Sequence, residues 1–113
     1  MYEENAVLHA LCTRRSVRSY DSTKPVEQEK IQAVLTAGQY APTGMNRMPT
    51  KFVVIRNPEM LHQLSKQNAE IMGAADRDPF YGAPVVLVVL ADKSRPTYLY
   101  DGSLVMGNLM LAA

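Results

Sequence analysis

Ala41-Pro42-Thr43-Gly44-Met45-Asn46-Arg47-Met48-Pro49-Thr50 divides a helical apolar period from an extended one, and the rest of the chain falls into place around it. Before it, Ile31, Val34, Leu35 and Gly38 recur at the three- and four-residue spacing of one helix face. After it, Lys51 to Arg56 has the short, β-branched pattern of a strand. Small residues, prolines, a glycine and an amide between two such elements make an irregular loop of the kind that lets backbone approach a flat or charged ligand.

Outward from the loop, helical and strand-like patterns alternate without repeats, low-complexity tracts or a linker, so residues 1–113 read as a single α+β domain. Toward the amino terminus, Pro25 is expected to open the second helix, where its missing N–H costs nothing, and Pro42 to end it. A short extended piece covers Val17 to Tyr20. Asn5 caps a first helix running to about Thr13, with Val7, Leu8 and Leu11 on its apolar face. Toward the carboxyl end, Asn57 and Pro58 form an N-cap and N1 pair for a third helix, with Leu61, Leu64 and Ile71 inward. Asp76 to Pro84 is a loop, and the continuous run Val85 to Leu90 predicts a central strand buried on both faces. Tyr98 to Ala113 is helical in pattern and apolar on nearly every side. It stops with no Gly, Asn or cation for its terminal carbonyls, so the chain is expected to be incomplete at its carboxyl end.

Thr13-Arg14-Arg15-Ser16-Val17-Arg18-Ser19-Tyr20, at the end of the first helix, is the second informative segment. Three guanidinium groups among hydroxyls outline an anion site, because the planar fork of Arg matches phosphate oxygens bidentately. The same arginines also read as cations complementing the carboxyl end of a helix, worth about 0.3 to 1 kcal/mol. Residues 1–56 hold eight Lys/Arg against five Asp/Glu, whereas residues 57–113 hold four against six, so the positive excess coincides with the two segments. Together the segments suggest a phosphate-bearing cofactor.

The chain's 113 residues suffice to bury roughly two thirds of the unfolded surface. An apolar fraction of 47% with 20% charged residues is that of an ordinary folded protein. A net charge of +1 argues against a nucleic-acid or membrane binder. The lone Cys12 rules out an intramolecular disulfide framework and CxxC chemistry. His9 and His62 lack metal-ligand spacing, and the seven Met residues read as adaptable core filler. The acidic start has no apolar signal segment, and the apolar runs fall short of the ~20 residues of a membrane span. A soluble, cytoplasmic protein is expected.

Four motifs in order then carry a resemblance: Arg14-Arg15-Ser16-Val17-Arg18, the loop Ala41 to Pro49 with its strand, Gly82-Ala83-Pro84 before a hydrophobic strand, and Asp101-Gly102 to Asn108-Leu109. This chain resembles the FMN-dependent nitroreductases over essentially its whole length. Two departures stand out. The family loop often reads Asn-x-Gln-Pro-Trp where this chain has Met48 and Thr50, and family members continue into a Gly-rich loop and a basic segment beyond this helix.

The resemblance implies a nitroreductase-like α+β fold, a mostly antiparallel sheet flanked by helices, with the apolar last helix at a homodimer interface. It implies that Arg14, Ser16 and Arg18 hold the phosphate, ribityl chain and pyrimidine edge of FMN, with Arg15 beside them. Pro42, Thr43, Gly44 and Asn46 would reach the flavin of the other subunit, and Asn68 would place an amide on the flavin ring. Electrons would pass from NAD(P)H through the flavin to a nitroaromatic, quinone or similar small acceptor, and no protein side chain is assigned as catalytic. The alternatives are a nitroreductase-like fragment that dimerises but binds FMN weakly without catalytic competence, and a small anion-binding module using the same arginines. The last leaves the Pro42 to Pro49 loop unexplained.

Overall fold

The computed structural model describes residues 2–113. Helix α1 (Ala6–Thr13) begins at Asn5, whose side-chain oxygen accepts the Val7 and Leu8 N–H groups at 3.0 and 3.1 Å. Helix α2 (Gln28–Gln39) leads into the loop, strand β1 (Thr50–Ile55) leaves it, and helix α3 (Pro58–Ile71) follows directly. Strand β2 (Val86–Ala91) and helix α4 (Tyr98–Ala112) complete the order. β1 and β2 pair antiparallel, with Thr50 opposite Ala91 and Ile55 opposite Val86. The fold is thus α+β as expected, a two-stranded antiparallel sheet with helices around it.

The core lies where α4 crosses α2 and the sheet. Ala41, Val105 and Leu109 are buried together, with Val34, Phe52, Leu87 and Val89 packed against them. Gly38 permits this closeness: a Cβ there would stand 2.7 Å from Leu109 Cδ2 and 3.0 Å from Phe52 Cζ. The Asn108 amide donates to the Ala37 carbonyl at 2.8 Å and cross-ties the same two helices. Full burial of an aliphatic side chain stabilises by about 1.5 to 3 kcal/mol, so Val105 and Leu109 are each worth on that order to the fold.

Local signals placed the start of α3 to the residue. Asn57 caps it through the Met60 N–H at 3.0 Å, and Pro58 occupies the first turn. At the other end Gly73 adopts φ 69°, with Gly73 N–H on the Glu70 carbonyl and Ala74 N–H on the Ala69 carbonyl. That pair of bonds is a Schellman stop, which needs the left-handed conformation glycine adopts freely.

Several expectations are corrected. Val7, Leu8 and Leu11 keep their helical period, yet all are exposed, and among the described residues none of α1 is buried. Ile71 points to solvent at 85% exposure, and Ala69 is the buried residue of the last turns of α3. Pro25 precedes α2 instead of opening it: the Val26 carbonyl accepts from Arg56 Nη2 at 2.7 Å, outside the helical ladder, and the ladder starts at Glu27. β2 is half-buried rather than enclosed, since β1 pairs with one edge only and Leu90 is exposed. α4, although apolar all round, buries only the stripe Asp101, Val105 and Leu109.

The connection before β2 is organised by Asp78. Its carboxylate accepts the Ser65 hydroxyl (2.7 Å), the Phe80 N–H (2.9 Å) and the Gly82 N–H (2.7 Å). The Ser65 hydrogen bond, then the Phe80 N–H, hold this carboxyl below its ordinary value. A depressed folded pKa means that the carboxylate's contribution to stability is complete above the unfolded value and is lost as pH falls through the folded one. Asp78→Asn turns one oxygen into an NH2 facing an N–H, so it is expected to lower Tm at neutral pH. The gap to the unaltered chain should close as the solution is acidified below the ordinary carboxylate range. A gap independent of pH in thermal denaturation would exclude this role.

Candidate functional site

The loop between α2 and β1 is built from unusual backbone. After Thr43, residues 44–46 form a single 3-10 turn, and Met45, Asn46 and Met48 take φ of 55°, 54° and 49°. Left-handed conformations are uncommon for residues other than glycine and cost of the order of 1 to 3 kcal/mol each. Such strain persists only where neighbours fix it. Here the Thr43 hydroxyl accepts the Met48 N–H at 3.0 Å, and the Pro49 carbonyl accepts the Asp92 N–H at 2.9 Å. Gly44 N–H donates to Asp101 Oδ1 at 2.9 Å.

A cleft of about 1090 Å³ opens beside the loop, with Pro42, Thr43, Asn46, Met48, Lys51 and Phe52 on its wall. Three of the four expected loop residues therefore share one cavity. Gly44 sits behind them, at a small cavity of about 130 Å³ that it shares with Arg47, Arg95, Thr97 and Asp101. Lys51 in the cleft, and Thr97 and Asp101 behind the loop, are absent from the residues expected by sequence. Asp101 left one signal: it is the single charged residue of an otherwise apolar helix.

The arginine segment lies elsewhere. Arg14, Arg15, Ser16 and Arg18 are all exposed along an irregular stretch after α1, and none lines the cleft. Arg15 Nη1 donates to the Cys12 carbonyl at 3.1 Å and the Arg14 carbonyl at 2.8 Å, so Arg15 does serve the carboxyl end of α1. Among the described residues, Arg14 and Arg18 have no side-chain hydrogen bond or ion pair. Asn68, on α3, donates its amide to the Leu64 carbonyl at 2.8 Å and stands apart from both groups. A third groove, of about 800 Å³ between α3 and residues 75–84, contains none of the expected residues. The described residues include no cluster of three metal-ligating side chains, and no helix is long and apolar enough to cross a membrane.

Comparison with known proteins makes the family of this α+β chain explicit. The Nitroreductase family model matches residues 11–113, so the chain belongs to the Nitroreductase family. A protein of Methanothermobacter thermautotrophicus, which carries the provisional name NADH dehydrogenase/NAD(P)H nitroreductase, is 34% identical over 95% of this chain and 54% of its own length. The nitroreductase of Bacteroides fragilis, solved with bound FMN, superposes with a TM-score of 0.86 at 28% identity, covering 96% of this chain and 64% of that one. An FMN-dependent nitroreductase of Clostridium difficile gives the same TM-score at 27% identity, over 97% of this chain and 56% of that one. The chain thus spans about half to two thirds of the length of these relatives.

Proposed function

We propose that this chain is a subunit of an FMN-dependent oxidoreductase that takes electrons from NAD(P)H and delivers them to a nitroaromatic, a quinone or a similar small acceptor. The observation that carries the reading is the division of the site. The unpaired guanidinium groups of Arg14 and Arg18 are exposed and lie outside the cleft that Pro42, Thr43 and Asn46 of the strained loop line. Two copies supply both surfaces to one flavin. Uncovered apolar side chains support the pairing: Val7 and Leu11 on α1 and Leu99 and Met110 on α4 are each more than half exposed, and apolar surface of that extent is seldom left in water.

The residues suit the cofactor. FMN presents a phosphate and a pyrimidine edge that are rich in acceptors, and Arg14, Ser16, Arg18 and Asn46 are donors open to solvent. Arg15, already bonded to two carbonyls, contributes beside them, and Asn68 retains its free carbonyl oxygen. Bound FMN would supply the redox chemistry that links the nicotinamide to the acceptor. The chain's own part is to bind and orient, and a guanidinium near the pyrimidine edge favours the negative charge that develops there.

Titration of the purified chain with FMN, followed by absorbance and fluorescence and paired with light scattering, tests this reading. A flavin spectrum retained by a dimer is the expected result. A well-behaved monomer at micromolar concentration overturns the shared site, and a dimer that retains no flavin identifies a fragment that assembles without binding the cofactor.

A further inference from the structure

Asp101 is the one buried charged side chain among the described residues, at 3% exposure. Burying a carboxylate is unfavourable unless its oxygens are satisfied, and here each has one donor. Oδ1 accepts the Gly44 N–H at 2.9 Å, and Oδ2 accepts the Thr97 hydroxyl at 2.8 Å. The first bond joins residues 57 apart in sequence, and the second fixes the carboxylate's rotation. Thr97 also presses on Gly44 directly, since a Cβ at Gly44 would collide with the Thr97 hydroxyl. Thus the turn that carries Met45, Asn46 and Met48 in left-handed backbone is gripped at its first residue by two side chains around the start of α4.

We propose that Asp101 is a positioning residue: through the Gly44 N–H, and steadied by Thr97, it holds the Gly44 to Met48 turn in the strained form that faces the cofactor. The assignment of that turn to the cofactor rests on the function proposed above. The holding itself rests only on the hydrogen bonds. Asp101 touches no reacting atom and acts through the loop.

Amide hydrogen exchange of the full chain measures the grip without any ligand. In Asp101→Ala, the Gly44 amide is expected to exchange at least about tenfold faster, because its only acceptor is gone while α2 and β1 keep theirs. Ala is a better helix former than Asp, so α4 itself is not weakened by propensity. Asp101→Asn retains the Oδ1 acceptor and offers an NH2 to the Thr97 oxygen, so its exchange should stay within about threefold of the unaltered chain. If Asp101→Ala does not fold, Thr97→Val decides: it leaves the carboxylate in place but unsteadied, and the Gly44 amide should again exchange faster. Unchanged exchange at Gly44 in the decisive variant, or Asp101→Asn as loose as Asp101→Ala, overturns the proposal.

FMN titration of the same proteins is the second arm. The dissociation constant is expected to rise about tenfold in Asp101→Ala and to be rescued in Asp101→Asn, as for loss of one charge-assisted hydrogen bond behind the loop. An affinity unmoved in a loosened Asp101→Ala loop overturns the link to the cofactor. If the unaltered chain binds no FMN, the proposed function fails, and the exchange pattern still decides whether Asp101 holds the turn.

Discussion

Arg14→Ala and Arg18→Ala are each expected to weaken FMN binding about ten- to a hundredfold while leaving Tm nearly unchanged. A hydrogen bond to a charged group is worth about 1.5 to 3 kcal/mol, and about 1.4 kcal/mol is tenfold in affinity. Both side chains are exposed and unpartnered among the described residues, so truncating them removes no contact that folding made. Arg15→Ala is the internal comparison. Its guanidinium already bonds the Cys12 and Arg14 carbonyls, so its loss should fray the end of α1 and affect the flavin less. Isothermal titration beside a thermal melt separates the two effects. An unchanged dissociation constant for Arg14→Ala removes Arg14 from the phosphate site.

The sequence was most legible where the determining interaction is local. Asn57-Pro58 located the start of α3 because cap and ring act within four residues, and β1 emerged within one residue of its expected span. Apolar periodicity was legible as a face but not as a burial. The period of Val7, Leu8 and Leu11 is real, yet all three are exposed, because periodicity sets which side chains share a face and not whether other residues pack against it. Pro25 misled for a different reason: Arg56, thirty residues away from Val26, claims the carbonyl that would have joined the helix. Of the candidate site, residue types marked the irregular loop between α2 and β1, but its left-handed turn and the anchor at Asp101 arise from a contact between residues 57 apart, which spacing alone does not encode.

The contact of α4 with Gly38 and Phe52 supplies the largest expected stability effect. Leu109→Ala empties the contact between α4, Gly38 and Phe52, and removing a buried leucine side chain costs about 2 to 5 kcal/mol, against about 0.5 kcal/mol for an exposed substitution such as Ile71→Ala. For a domain near this size each kcal/mol moves Tm by about 4 °C or more, so the two variants are readily told apart. Gly38→Ala should also destabilise. Its new Cβ lies 2.7 Å from Leu109 Cδ2, and overpacking of about 1 to 3 kcal/mol exceeds or cancels the roughly 0.5 to 1 kcal/mol that Ala gains over Gly in a helix. Combined, the two substitutions partly relieve each other, because truncating Leu109 removes its Cδ2 and Cγ, at 2.7 and 3.2 Å from the methyl introduced by Gly38→Ala, while Phe52 Cζ stays at 3.0 Å. The double variant should therefore be more stable than the sum of the single losses by about 0.5 to 3 kcal/mol, the range for residues in direct contact. Denaturant melts of all four proteins at one fixed concentration close the cycle. Strict additivity would mean that α2 and α4 do not meet at Gly38 and Leu109, and the core that positions the loop would have to be redrawn.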